Sequence, residues 1–473
     1  MTVDDESGNG RNGEPSPVMI PAGIVSEWFF SAPYEAPMVR RGDPLGLRLA
    51  AARYADALAP GLSNRTLDAR WLTISAWVLV LANDVWRRSG NSAPAGLSRR
   101  QTANLFGWIE PLELLWISRT LSLADAEGRQ LPGQRAVRRW LEGGQRARRF
   151  GMSFAQYRRQ RSIGIYGAYR VALRALPGMT IGGDGWRPDA VAELLARITQ
   201  SALGAAAATP DLAHGNFDAE SYWRREGWSK WSRSGRKEFL PESVRNPRPV
   251  TAEEISVLKP VLFSGNDPKG HARLRETVVD VMHASKARVH HGVCNDLEKK
   301  LSRATHGAVA RLGTFAQLAD TGLGVMNAIW ACLRDVEWRQ IPAVRPADLA
   351  DDNDVRAALT ELVVASKAWL LGKSAFRAEW VTANELAGLA TSRARNFGKL
   401  VRGLVEYHEA RGGGRRWFRL DEEGFVRPAS SLRDQQGSPY RFRLFSLARL
   451  ALQCRMIPRM PKALDFTDEE GEE

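Results

Sequence analysis

Apolar residues recur along most of this chain at the three- and four-residue spacing of helices, and the period changes once, near the C-terminus. Leu45, Leu47 and Leu49 lead into Ala50–Leu58, and Pro60-Gly61 stops that run. Asn64 or Thr66 stands where the next helix needs a cap. That helix carries Trp71, Leu72, Ile74, Trp77, Val78 and Val80, is apolar nearly all round, and is therefore expected to be buried. A third helix is predicted from Ser98 through Phe106, Trp108, Leu112, Leu115 and Trp116.

Further along, helices are expected over about 153–176 and from Pro188 to Leu203, separated by the Gly-rich turn at 182–185. Thr251 followed by Glu254 is a capping-box signature. It opens a run of helices at about 270–287, 293–304, 312–335, 345–371 and 382–411, with Asp351-Asp352-Asn353-Asp354 read as a helix N-terminus. Then Arg416–Leu420 and Phe425–Arg427 flank Asp421-Glu422-Glu423-Gly424 in the pattern of a hairpin. A last helix over 439–456 carries Phe442, Leu444, Phe445, Leu447 and Leu450. The fold class is mainly α and multi-helical, with a small α+β region containing a β-hairpin near the C-terminus. No internal repeat is visible. The organisation expected is a disordered leader over 1–20 and an N-terminal helical domain over 21–203. A Trp/Arg-rich linker or loop over 204–249 leads to a central helical domain over 250–390, a basic helix–hairpin–helix region over 391–460 and an acidic tail over 461–473.

Charge adds what hydrophobic periodicity cannot. The 473 residues include 67 Lys plus Arg and 53 Asp plus Glu, a net of +14. The excess is concentrated: residues 129–174 hold 12 Arg and one acid, and residues 391–460 hold 15 basic and six acidic groups. Arg far outnumbers Lys, and guanidinium binds phosphate bidentately and stacks on bases. No apolar run reaches the roughly 18 residues of a membrane span, and the N-terminus is not a signal peptide. Three well-separated cysteines, Cys294, Cys332 and Cys454, fit a reducing cytoplasm.

The first basic island places Arg138, Arg139, Arg146, Arg148, Arg149, Arg158, Arg159 and Arg161 among aromatics that include Tyr157. That mixture neutralises phosphates and stacks on bases. The alternative is a solvated face, or pairing with acids of the N-terminal block. In the second island, Arg393, Arg395, Lys399 and Arg402 fall on one predicted helix, and Arg415 and Arg416 follow a Gly-rich loop that suits a phosphate. Arg441 and Arg443 open the last helix. Helix, loop and hairpin together have a winged-helix outline; the alternative is an α+β cap whose charges pair across an interface. Trp228 and Trp231 lie in a basic loop that serves equally as a stacking platform or as a pin onto the core.

Enzyme signatures mostly fail. Gly372-Lys373-Ser374 ends like a P-loop, but Lys367 occupies the position of the required earlier glycine and the preceding run is helical, so it is not an ATP site. His283, His290 and Cys294 share one face of a continuous helix, the last two at i, i+4 spacing, but lack a clear fourth ligand. No cofactor, no metal and no catalytic residue is assigned.

Asp43–Arg48, the stretch Pro60-Gly61-Leu62-Ser63-Asn64-Arg65-Thr66-Leu67-Asp68-Ala69-Arg70-Trp71, and Gly164–Arg170 resemble an uncharacterised bacterial protein family, over about residues 40–180. Its members are encoded in phage-defence islands beside helicases and nucleases. The resemblance implies a defence context and carries no active site with it. The expectation is a cytoplasmic, non-catalytic nucleic-acid-binding subunit, with DNA ahead of RNA as ligand, a helicase or nuclease as partner protein, and no membrane. The alternatives are a structural adaptor docking an acidic protein and a metal-dependent nuclease. The acidic tail would compete with nucleic acid if it folded back over a basic island.

Overall fold

The structure is a computed structural model, and it describes residues 43–88, 105, 109, 164–203, 250–265, 267–338, 343–372, 377–411, 416–428 and 440–465. Thirteen α-helices and one two-stranded antiparallel hairpin are found among the described residues, so the chain is mainly helical with a small β element near its end.

The first four helices are α1 (Arg48–Leu58), α2 (Ala69–Arg88), α3 (Gly164–Ala175) and α4 (Ala190–Leu203). Trp71, Leu72, Ile74, Trp77 and Val78 of α2 are buried, as an all-round apolar helix requires, and α3 and α4 both pack on it. Its cap is Asp68, whose Oδ1 accepts the Arg70 N–H at 3.0 Å. Asn64 and Thr66 do not cap it: the Thr66 hydroxyl is taken up by Ser63 and the Asn64 carbonyl by Ser446. Helix α4 starts at Ala190 rather than Pro188, because Pro188 is drawn into an extended bridge with Thr180. Of the helix expected over 98–116, only Leu105 and Ile109 are described, both buried.

The second half begins with the capping box in full: the Thr251 side chain accepts the Glu254 N–H, and the Glu254 side chain accepts the Thr251 N–H. It opens α5 (Ala252–Lys259), which runs into a single π turn over Pro260–Ser264. Then come α6 (His271–Ala284), α7 (His290–Leu301) and the long α8 (Leu312–Trp338). Two expected helices are each broken in two. The run expected over 345–371 is α9 (Pro346–Asp351) and α10 (Asn353–Leu371), split where Asp352 turns extended and its carboxylate caps the Asp354 and Val355 N–H groups. The run over 382–411 is α11 (Val381–Ser392) and α12 (Phe397–Arg411), with Asn396 Oδ1 capping the Lys399 N–H. Asp and Asn compete with the helix for backbone donors, and periodicity does not register that competition.

Strands β1 (Phe418–Leu420) and β2 (Val426–Pro428) pair with Arg419 opposite Arg427, and Val344 bridges to Val426 beyond them. The last helix, α13 (Leu444–Gln453), is shorter than 439–456 because Phe442 and Arg443 take left-handed backbone conformations, φ 43° and 62°.

One apolar cluster joins residues of α1 and α2 to α7, α8, α10, α12 and α13. Helix α13 also contributes a buried polar face. The Ser446 hydroxyl donates to the Asn64 carbonyl, Arg449 Nε donates to the Leu67 carbonyl, and Gln453 Oε1 accepts the Ala69 N–H at 2.7 Å. The three are spaced by one helical turn, and all bind the segment between α1 and α2. Arg275, also buried, donates to the carbonyls of Pro60, Val261 and Leu262 and ties the same segment to the π turn. Beside it lies a buried ion cluster of Arg70 and Glu254, 3.3 Å apart, with Asp68 and Arg449. No helix among the described residues is long and apolar enough to cross a membrane.

Candidate nucleic-acid interface

Of the residues singled out by charge, Arg138, Arg139, Arg146, Arg148, Arg149, Tyr157, Arg158, Arg159, Arg161, Trp228, Trp231 and Arg415 lie outside the described residues. So do Lys373 and Ser374. The second island is described over most of its length.

Its centre is the turn from α11 into α12. Arg393 folds back across α12: its guanidinium donates to the Lys399 carbonyl at 3.1 Å and stands 3.7 Å from Glu406. Gly403 makes this possible, because a Cβ there would stand 2.0 Å from the Arg393 Nη1. Arg402 pairs with the same Glu406 at 3.0 Å, the i, i+4 geometry of one helix face. Arg395 and Lys399 are exposed and have no acidic partner among the described residues. Arg395 borders an open groove of about 360 Å³ lined in part by the small residues Ala347, Ala350, Ala394 and Gly398. These small residues let α9 and α12 approach closely, a Cβ on Gly398 falling 3.2 Å from the Ala347 Cα. Arg356 and Asp351, bound to each other at 2.6 Å, also line it. The first turn of α12 opens into the groove and adds the positive end of the helix dipole.

The hairpin continues this surface. Phe418 and Val426 are buried, Phe418 against the His408 ring, which leaves Arg419 on the exposed side. Arg419 has no acidic partner among the described residues, whereas Arg427 is held by Asp421 at 2.6 Å. The turn lies between two cations, Arg345 over the Phe425 ring and Arg402 beside Gly424. Glu422 and Glu423 are exposed at the tip, so the positive surface belongs to the α12 side of the hairpin.

The hairpin is seated by His408, which is fully buried. Its Nδ1 donates to the Pro44 carbonyl at 3.1 Å and its Nε2 accepts the Trp417 N–H at 2.9 Å, so the ring is the neutral Nδ1–H tautomer. Burial holds its pKa below the usual value, against the bond to Pro44.

The other predicted cations have partners. Arg416 is exposed and 3.7 Å from Glu409. Arg441 is half-buried with its guanidinium 5.0 Å from the centre of the Phe445 ring. Arg443 stands 2.6 Å from Asp56 and donates to the Ala59 carbonyl, joining α13 to α1. Around Arg443, then, charges pair across an interface; around Arg395 and Lys399 no such pair occurs among the described residues. Arg356 and Arg419 were not singled out in the sequence. Arg419 was legible, since it alternates with Phe418 and Leu420 in a strand; Arg356 required the tertiary approach of α9 and α12.

The histidines expected on one helix face are divided. His283 ends α6, while His290 and Cys294 belong to α7, and no cluster of three or more metal-ligating side chains occurs among the described residues. Neither a protein-family model, nor a curated protein, nor a solved structure matches the chain.

Proposed function

We propose that this chain is a nucleic-acid-binding subunit that leaves the chemistry to a partner. The observation that carries this reading is the set of exposed cations Arg395, in the turn before α12, and Lys399 and Arg402, in its first two turns, beside a groove that Arg356 also lines. Two of the three have no acidic partner among the described residues, so an approaching phosphate would find cations open to it and release counterions on binding. Backbone contacts of this kind fix a protein on a nucleic acid without reading its sequence. The ligand is DNA ahead of RNA, and the setting is the bacterial cytoplasm, in an antiviral defence system with a helicase or nuclease beside it. The charge of residues 129–174 supports the same reading.

The test is fluorescence polarisation with labelled duplex and single-stranded DNA and RNA across a salt series. Affinity should fall steeply with salt. Arg395→Glu with Lys399→Glu should reduce the slope of log affinity against log salt by about 2, roughly 1 for each phosphate contact removed. Binding indifferent to salt, or an unchanged slope in the double variant, would overturn it. Capture of an acidic protein that survives nuclease treatment, without salt-dependent binding to nucleic acid, would put the adaptor reading in its place.

A further inference from the structure

Away from this surface, α7 and α8 bring together three side chains with the connectivity of a thiol relay. His290 opens α7, and Cys294 lies one turn later on the same face. The Cys294 Sγ is 3.7 Å from His290 Nε2, and His290 Nδ1 is 3.1 Å from Asp320 Oδ2. Asp320 Oδ1 is buried and has no hydrogen-bond partner among the described residues, where His290 is the main compensation for that carboxylate and His291 stands 4.0 Å away. The Phe442 ring stacks on the imidazole at 5.4 Å, at an angle of 22°. Phe442 and Arg443 are consecutive left-handed residues, a conformation costing on the order of 1–2 kcal/mol per residue. The turn that covers the relay is therefore held under strain.

We propose that Cys294 is a masked nucleophilic thiol, primed by His290 and Asp320, and that it takes a small uncharged electrophile of the peroxide class. A charged or bulky reagent is excluded because Cys294 is fully buried. When the proton between Sγ and Nε2 lies on nitrogen, the sulfur is a thiolate facing an imidazolium whose other N–H is held by Asp320. The thiolate attacks one oxygen of hydrogen peroxide; the S–O bond forms and the O–O bond breaks. The departing hydroxide takes the Nε2 proton and leaves as water. Sulfur loses two electrons, peroxide gains them, and Cys294 becomes a sulfenic acid.

Electrostatics couples the two groups. Burial opposes charge on His290, but the sulfur and the Asp320 carboxylate outweigh it and hold its pKa up at about 10. Burial holds the Cys294 thiol above its usual value, and the neighbouring imidazole works against that rise. Cys454 supplies the contrast. It is equally buried, has no imidazole beside it, and is pushed up to about 12 by burial. Exposure alone would put the half-buried Cys332 first and leave Cys294 and Cys454 equal.

The experiment exposes the folded full-length protein to hydrogen peroxide for a set time, removes the peroxide, unfolds the protein in urea that contains dimedone, and quantifies the adduct on each cysteine-containing peptide by mass spectrometry. Cys294 should be trapped several-fold faster than Cys454, because it has an imidazole within reach to take its proton and return it to the departing hydroxide. His290→Gln should bring Cys294 down to the rate of Cys454. Asp320→Asn, which keeps the shape of the side chain, should lower the Cys294 rate as well and decides the matter if His290→Gln fails to fold. Phe442→Ala should raise the Cys294 rate and leave Cys454 unchanged. Equal trapping of Cys294 and Cys454 in the wild-type protein overturns the proposal, as does a Cys294 rate untouched by Asp320→Asn.

Discussion

Asp68 connects the pH dependence of stability to one buried atom group, and the sign follows from its surroundings. Burial pushes its carboxyl up to about 6, working against Arg449 and against the N–H and guanidinium of Arg70, with Glu254 adding to the rise. In the unfolded chain the same group titrates near 3.8. The folded protein therefore binds the Asp68 proton more tightly than the unfolded one, and the stability this confers is present below pH 4 and lost as pH rises through about 6. A difference of about two units corresponds to about 3 kcal/mol. Asp68→Asn keeps a capping oxygen for the Arg70 N–H and removes the titration. Urea unfolding of both proteins between pH 4 and pH 7.5 checks this. The stability of Asp68→Asn relative to wild type should improve by about 3 kcal/mol from the acid to the neutral end, most of it between pH 4 and 6. A flat difference would show that Asp68 does not titrate abnormally. A difference of opposite sign would show that Arg449 and Arg70 outweigh desolvation, and the account of the cluster would be reversed.

Arg275→Met should destabilise by on the order of 3 kcal/mol or more, since each buried carbonyl left without a donor costs about 1–3 kcal/mol and Pro60, Val261 and Leu262 would all lose theirs; a thermal melt within 2 °C of wild type would contradict it. His408→Phe should cost roughly 2–4 kcal/mol by orphaning the Pro44 carbonyl and the Trp417 N–H, measured by chemical unfolding. Because burial lowers the His408 pKa in the folded state, its contribution is full above the ordinary value of about 6.5 and is lost as pH falls below it, so an acid-side loss of stability should be missing in that variant.

Sequence patterning carried the helices furthest where one signal dominated. The apolar girth of α2, the capping box at Thr251 and Glu254, and the period change at the hairpin all translate directly into structure. At Asp352 the acidic run marked the helix N-terminus that is found, although periodicity ran through the break before it. Patterning failed where a single polar side chain competed with a run of good helix formers, at Asn396, and where tertiary packing imposed a left-handed turn on Phe442 and Arg443. The candidate surface was half legible. Lys399 and Arg402 could be grouped from spacing alone, whereas Arg393 and Arg395, expected on the same helix, stand in the turn before it. That Arg443 is occupied by Asp56 and Arg393 by Glu406 could not, because both pairings depend on contacts between elements far apart in the chain or separated by a turn. The Cys294 relay was half visible as an i, i+4 pair, but its third member, Asp320, comes from the next helix.

The buried polar face of α13 has a consequence for how the protein is made. Ser446, Arg449 and Gln453 reach back more than 380 residues to complete the segment that precedes α2. During synthesis that segment waits, its carbonyls and amides bonded to water instead of protein, until the residues of α13, more than 380 positions later, have left the ribosome. Such long-range closure slows folding and prolongs the exposure of apolar surface. It also makes completeness a condition of stability: a chain cut short before α13 keeps every helix of the first half yet lacks the piece that locks them, so a truncated product is marked for proteolysis by its own unfinished core.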